Sequence, residues 1–457
     1  MKKTVVINVV GLTKRLIGEH TPFIKSFFEK GQSTYIKPVL PAVTCSAQST
    51  YLTGKWPSEH GIVGNGWYFK EECEVKFWRQ SNRLVQQPKI WDALKAKDAN
   101  FTCANHFWWY NMYSTADYSI TPRPNYLADG RKIPDIYSQP AELRDTVQGN
   151  LGMFPLFEFW GPKTTINSSQ WIANAAIQTD ELHDPTLTLI YLPHLDYNLQ
   201  RHGLDFNVIS KDLKEIDGVV NQLVQHYEKS GANITLLSEY GITNVNRPIH
   251  LNRVLRKNGY LSVRVERGLE LLDAGVSDAF AVADHQIAHV YIKDKSRLAE
   301  IKELIGRQEG VEQVLSGDEI DEQHLQHERC GDLVVVADKD SWFTYYFWLD
   351  DAKAPDYARM VDIHKKPGYD PVEMMTNPKD KLVMAKVIGK LLKKKLGFRT
   401  VMNIIPIDAT LIKGSHGRIP EDTDDYPILI SNNNISSEDA VIEAVDVYQV
   451  IENQVLN

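Results

Sequence analysis

"LPAVTCSAQSTYLTGKWPSEHGIVGN", residues 40–65, gathers the signals on which the reading of this chain turns. Pro41 punctuates it, Thr44 stands immediately before a helical run, and it ends on a glycine-rich loop around Asn65. A hydroxyl residue ahead of a helix is an everyday N-cap that accepts a backbone N–H. The same hydroxyl lies at the positive end of the helix dipole, where it could act as a nucleophile on a phosphate that the helix amides also stabilise. The residues alone leave both readings of Thr44 open. Asn65 reads equally as a turn residue beside glycine and as an amide donor to a phosphoryl oxygen. Cys45 and Ser46 read as serving the helix and its packing.

Working outward, apolar strand-like runs alternate with helical patterns. "TVVINVV" (4–10) precedes "TPFIKSFFEKG" (21–31), and "FTCANHFWW" (101–109) follows "PKIWDALKAKDA" (88–99). "PTLTLIYLP" (185–193) and "ANITLLSEYG" (232–241) each follow a helical segment. This order predicts a largely parallel sheet covered by helices on both faces, an α/β class. From residue 278 the texture changes. "AFAVADHQIAHVYIKD" (279–294) reads as one strand, "KSRLAEIKELIGRQ" as a helix, "GVEQVLSG" as a strand and 328–348 as two strands joined by a turn. We therefore expect a core of residues 1–277 and 380–457 with an inserted α+β cap at 278–379. The core closes with a helix over 436–455.

Bulk properties exclude several classes. Acidic residues outnumber basic ones by 59 to 51, and the longest basic run is the short "KLLKKKLGFR", so a nucleic-acid polymer is not an expected partner. The opening "MKKTVVINVVGLTKR" has an apolar run too short, and too rich in valine, for a secretion signal. No span reaches the ~20 apolar residues of a membrane helix. Four widely spaced cysteines suggest free thiols, with the cytoplasm as the default location.

Open parallel sheets place their sites beyond the carboxyl ends of the strands. Asn8, Thr44, the "PHLDYNLQRHG" turn (193–203) and "SEYG" (238–241) all fall there. His194, Asp196, Gln200 and His202 form a metal half-site by composition, and His416 in "GSHG" suits a ligand. "DHQIAH" (284–289) tempts a zinc-helix reading, but its setting reads as a strand, where His285 and His289 share a face.

Together these segments resemble the nucleotide pyrophosphatase and type I phosphodiesterase family of the alkaline phosphatase superfamily. The likeness lies in Pro-x-x-Thr, the Thr-Gly turn, Pro-x-x-His-Gly-Ile and the terminal asparagine of residues 40–65, and in the first strand, "LPHLD", "SEYG" and "GSHG". The resemblance implies an alkaline-phosphatase-like fold with Thr44 as the attacking alcohol and Asn65 holding phosphoryl oxygens. It implies a divalent metal, zinc in the family, as one or two ions. Asp196, Gln200 and His416 match one ligand set, and Asn8, Thr44, Glu239 and Tyr240 the other. His202, His194 or His285 could replace a missing ligand. Asn8 and Glu239 stand where the family has aspartates, Gln200 and Tyr240 where it has histidines. The implied activity is metal-dependent phosphoryl-transfer hydrolysis of a small phosphorylated molecule: a phosphodiester, pyrophosphate or phosphonate. The substituted ligands admit two alternatives: a homologue that binds a phosphorylated or acidic small ligand without turnover, or a monoesterase or phosphomutase of altered metal use.

Overall fold

The valine- and isoleucine-rich runs become strands buried on both faces, because helices cover both sides of the sheet they enter. The computed structural model describes residues 1–378, 380–398, 400–435 and 440–457. In chain order the strands of its two larger sheets are β1 (Thr4–Val9), β2 (Gln32–Lys37), β3 (Cys103–His106), β4 (Tyr118–Pro122), β5 (Ile136–Gln139), β6 (Leu187–Leu192) and β7 (Asn233–Leu237). There follow β8 (Ala279–Asp284), β9 (Ile287–Ile292), β10 (Val311–Leu315), β11 (Leu333–Ala337), β12 (Ile428–Ser431) and β13 (Val441–Glu443). The central sheet has the order β13-β2-β12-β7-β1-β6-β3-β4-β5. Its middle is parallel: β1 pairs with both β6 and β7, β6 with β3, and β3 with β4. The antiparallel partners lie outward, where β12 joins β7 to β2 and β5 closes the far edge.

Amphipathic helices bury this sheet. The helix Phe206–Glu228 turns Leu213, Ile216, Val220, Leu223 and Val224 inward, and Asn167–His183 and Asp446–Leu456 cover further parts. A second, antiparallel sheet of order β8-β9-β11-β10 has its own apolar cluster, including Val282, Val290, Ile301 and Val335. The fold is thus the expected α/β class with a smaller inserted β-rich unit. Among the described residues no helix is long and apolar enough to cross a membrane.

Three expected elements differ. Residues 279–294 form a hairpin instead of one strand, turning at His285 and Gln286 with His285 at φ 60°. No glycine, asparagine or proline marks that turn, and only the polar Asp284, His285 and Gln286 interrupt the apolar pattern. The strand Ser341–Phe343 does not fold back on β11 but pairs in parallel with Arg247–Ile249. The closing helix begins only at Asp446, because Val441 and Ile442 are taken up as an edge strand on β2. The first four residues assigned to that helix, 436–439, lie outside the described residues.

Ile190 in β6 is fully buried and lies level with Ile7 and His106. Ile190→Ala is expected to cost about 2–5 kcal/mol through lost burial and a residual cavity. This would be read as a lower urea midpoint at unchanged slope; an unmoved midpoint would contradict the assigned core.

Candidate active site

Parallel pairing brings the polar ends of distant segments to one rim. Asn8 in β1 lies level with Tyr191 in β6 and Leu237 in β7. Beyond β6, Pro193 leads into the helix His194–His202, whose Asp196 and Gln200 share a face one turn apart. Beyond β7 come Ser238, Glu239 and Tyr240. Thr44 is the first residue of the helix Thr44–Thr53, and Val43 stands at the N-cap with no side-chain bond. Capping therefore does not occupy the Thr44 hydroxyl. Ser46 satisfies local carbonyls instead, donating to Pro41 at 2.6 Å.

The Thr44 oxygen lies 3.2 Å from the Tyr240 hydroxyl, which donates to Asp196 Oδ1 at 3.3 Å. Gln200 Nε2 donates to the other Asp196 oxygen at 2.9 Å, and Tyr369 donates to Gln200 Oε1 at 3.0 Å. Four rings stack into a column. Tyr240 lies on His416 with centroids 3.6 Å apart, His416 on His285 at 3.7 Å, and His285 on Tyr369 at 3.6 Å. Asn65 ties the nucleophile helix to the insertion. Its Oδ1 accepts the Cys45 N–H at 3.0 Å, while its backbone N–H and Nδ2 donate to Asp284 at 2.8 and 3.1 Å.

The rim is deeply buried, and burial decides its charges. The Glu239 carboxyl is pushed up to about 8 by burial, although Gln48 and Asn8 donate to its Oε1, Asn8 at 2.5 Å. Burial likewise raises Asp196 and Asp284 to about 6 each. The His285 and His416 imidazoles are driven well below their ordinary value by the same cause and are neutral at pH 7. Burial also raises the Cys45 thiol far above its usual range, so this cysteine is no competing nucleophile.

Two divalent ions need more anionic and imidazole donors than the rim offers. Around Glu239 the donors are a neutral amide, a phenol and a carboxyl bound by two amide N–H groups. That set suits a proton and does not fit a second zinc. Around Asp196, His416 keeps an unpartnered Nε2 that lies 4.0 Å from Asp196 Oδ1, which fits one cation.

The structure gathers Asn8, Thr44, Asn65, Asp196, Gln200, Glu239, Tyr240 and His416 at this rim, and adds His285 from the insertion. His202 and His194 are not brought to it. His202 lines an open cleft of about 360 Å³ with Asn198, Arg201 and Met374. His194 turns to the neighbouring helix, its Nε2 lying 3.4 Å from Asp212 and 3.2 Å from Glu215. Those three donors lie within 4.8 Å of one another, a His/Asp/Glu set of the kind that can hold a cation. Sequence reasoning missed Gln48, Asp284 and Tyr369. Only Gln48 carried a signal, four residues after Thr44 on the same helical face.

A parallel sheet whose carboxyl-end rim meets a helix starting at a threonine hydroxyl not spent on capping defines an alkaline-phosphatase-like α/β protein. The sequence profile of the type I phosphodiesterase / nucleotide pyrophosphatase family matches residues 4–370, and the chain belongs to that family, within a phosphoesterase and hydrolase superfamily. It is 24% identical over 268 residues to ectonucleotide pyrophosphatase/phosphodiesterase 2 of Saccharomyces cerevisiae, covering 53% of this chain and 48% of the yeast protein. The chain thus spans about half the length of the curated relatives it matches. In fold it is similar to murine ectonucleotide pyrophosphatase/phosphodiesterase 5, an inactive form in complex with AMP, with TM-score 0.60 and 14% identity over 100% of this chain and 95% of that one. Phosphonoacetate hydrolase from Sinorhizobium meliloti 1021, in complex with phosphonoacetate, gives TM-score 0.63 and 13% identity over 99% and 96% of the two chains.

Because the folded state raises Glu239 from 4.5 to about 8, it retains a proton that the unfolded chain releases. That stabilisation is complete below about pH 4.5 and is lost as the pH rises through about 8. Thermal melts of chelator-treated protein should show stability falling across this window, with a flatter profile in Glu239→Gln. Equal slopes for the two proteins would contradict a buried, protonated Glu239.

Proposed function

We propose that the chain is a phosphoryl-transfer hydrolase acting on a small phosphorylated ester, with Thr44 as its nucleophile. The observation that carries this reading is the Thr44 hydroxyl itself: at the start of a ten-residue helix, unused as a cap, and faced by Glu239 and Tyr240. Tyr240, anchored on Asp196, fixes the direction of the hydroxyl. Glu239 has one oxygen held by Asn8 and Gln48 and the other, Oε2, without a partner. At rest Thr44 donates to Tyr240; its hydrogen swings to Glu239, which accepts the proton as Thr44 Oγ1 bonds to phosphorus and the bond to the leaving oxygen breaks. Amides of the first helical turn and the second Asn65 amide hydrogen stabilise the phosphoryl oxygens. Water then hydrolyses the phosphothreonine, and Glu239 returns its proton. A divalent cation at Asp196 and His416 supplies charge neutralisation for the phosphoryl group. The AMP carried by the murine relative and the phosphonate carried by the bacterial one support a small phosphorylated substrate, a phosphodiester or pyrophosphate ahead of a phosphonate.

One observation favours a second reading, binding without turnover. Thr44 is only 3% exposed, so a ligand needs the rim to open. The two readings separate on an assay of aryl diesters, aryl monoesters and nucleotide pyrophosphates, with intact-mass detection of phosphothreonine. Turnover should vanish in Thr44→Ala. It should rise with pH toward a plateau above about 8, and fall about 10²–10⁴-fold in Glu239→Gln. Substrate bound but never cleaved, with no phosphorylated Thr44, would establish the binding reading instead.

A further inference from the structure

The helices of the central sheet turn their apolar faces inward, but the helix Val383–Lys395 turns most of its own outward. Met384, Ile388, Leu391 and Leu392 recur at the i, i+4, i+7 and i+8 spacing of one helical face, and each is 45–62% exposed. Val387, on another face, is buried and fixes the side that meets the body. Leu382 before the helix and Leu396, Phe398 and Val401 after it are exposed as well. Elsewhere along the described chain, exposed large apolar residues stand singly or in pairs, which is ordinary for a protein surface. Gly397 ends the helix in the left-handed region, φ 85°, with the Phe398 N–H donating to the Lys393 carbonyl at 3.0 Å. The chain then returns beside the helix, where the Val401 carbonyl accepts from Lys390 at 2.8 Å.

Charge on this segment is of one sign. Between Asp380 and Asp408 every charged residue is basic, in a chain whose acidic residues outnumber its basic ones by 59 to 51. Lys386 and Lys390 leave the helix opposite the apolar stripe, by its 3.6-residue period. Lys386 pairs with Asp380, and Lys390 donates to Asn403 as well as to Val401. Together with Arg359 they line a polar cleft of about 310 Å³. Lys393 and Lys395 are exposed, and Lys395, four residues after Leu391, closes the stripe. Its four-carbon stem can lie along apolar surface while the ammonium reaches a more polar layer.

We propose that this face binds the surface of a lipid bilayer containing anionic lipids, with the helix lying in the plane of the interface. At 13 residues the helix is about 20 Å long, short of the roughly 30 Å hydrocarbon core, so it lies on a membrane and does not cross one. The apolar stripe enters the boundary between headgroups and acyl chains, and the lysines meet the lipid phosphates. A flat partner suits the way the helix is held. Val387 and Lys390 fix it to the body along one side, so the groove of an acidic protein cannot close around it. Pairing with a second copy through the same face would set lysines against lysines, with no acidic residue from 381 to 407 to neutralise them. The inference goes beyond the phosphoryl-transfer reading and uses none of the residues of the rim.

The test sediments the full chain with vesicles of phosphatidylcholine alone and with vesicles that also contain phosphatidylserine. The second kind should carry the chain down, the first at least about tenfold less, and added salt should weaken the binding. Hydrogen exchange of the unaltered chain should slow over 383–395 when the anionic vesicles are added. The double variant Lys393→Gln with Lys395→Gln should bind roughly 30-fold more weakly, about fivefold for each lysine at an anionic surface. Ile388→Gln with Leu392→Gln should lose at least about tenfold by removing apolar contact. Both pairs are exposed, so circular dichroism and thermal melts should match those of the unaltered chain. No binding to either vesicle, or equal binding to both, would overturn the proposal. So would undiminished binding by the folded Ile388→Gln, Leu392→Gln variant. A dimer in the ultracentrifuge that this variant abolishes, without vesicle binding, would assign the face to a second copy and overturn it. Binding of polyglutamate in place of vesicles would assign it to an acidic chain, with the same result.

Discussion

The parallel pairing of β1 with both β6 and β7 governs the rest of the structure. It sets Asn8 level with Tyr191 and Leu237, so the chain leaves the sheet toward Asp196 on one side of Asn8 and toward Glu239 on the other. A one-residue slip of β1 would turn Asn8 from the rim to the opposite face of the sheet. The long helix Phe206–Glu228 between β6 and β7 makes the parallel return and covers one face. The Thr44 helix then needs only to lay its first turn over this edge for the threonine hydroxyl to meet Tyr240.

Burial and charge decide what that edge can hold. Asn8 and Gln48 turn amide hydrogens onto Glu239, which favours its carboxylate, but burial prevails and raises the group to about 8. Without a cation beside it Glu239 keeps its proton near neutral pH, and Tyr240 donates its phenol hydrogen to Asp196 while stacking on His416. The other half of the rim keeps ligand character: a carboxylate beside two neutral imidazoles with unpaired nitrogens. The two halves therefore differ in kind, one suited to moving a proton and one to holding charge. This asymmetry underlies the proposed division of work between Glu239 and the pair Asp196 and His416.

Much of this was legible in the residues. The long parallel strands and the helices between them follow from runs such as "TLTLIYL" and from the 3.6-residue pattern of 206–228, because burial on both faces writes itself into composition. Thr44 and Asp196 could be placed because polar groups at strand ends have fixed places in such a sheet, whereas their roles, and that of His416, came from the resemblance of their motifs to the family. His285 could be named only as one of three candidates. Its hairpin has no turn residues, and its approach to His416 depends on how two separately folded sheets meet, which no local pattern encodes. The same limit hid Asp284 and Tyr369. His194 and His202 looked equally suitable in sequence, but helix geometry turns them away from the face shared by Asp196 and Gln200.

The proposed function rests on a rim that holds one cation, at Asp196 and His416, instead of two. Anomalous diffraction at the zinc edge, from crystals of chain purified without chelator, tests it most directly. The expected map has a single peak bounded by His416 and Asp196, with none beside Glu239. A second peak between Asn8, Glu239 and Tyr240, or a lone peak at His194, Asp212 and Glu215, would contradict it.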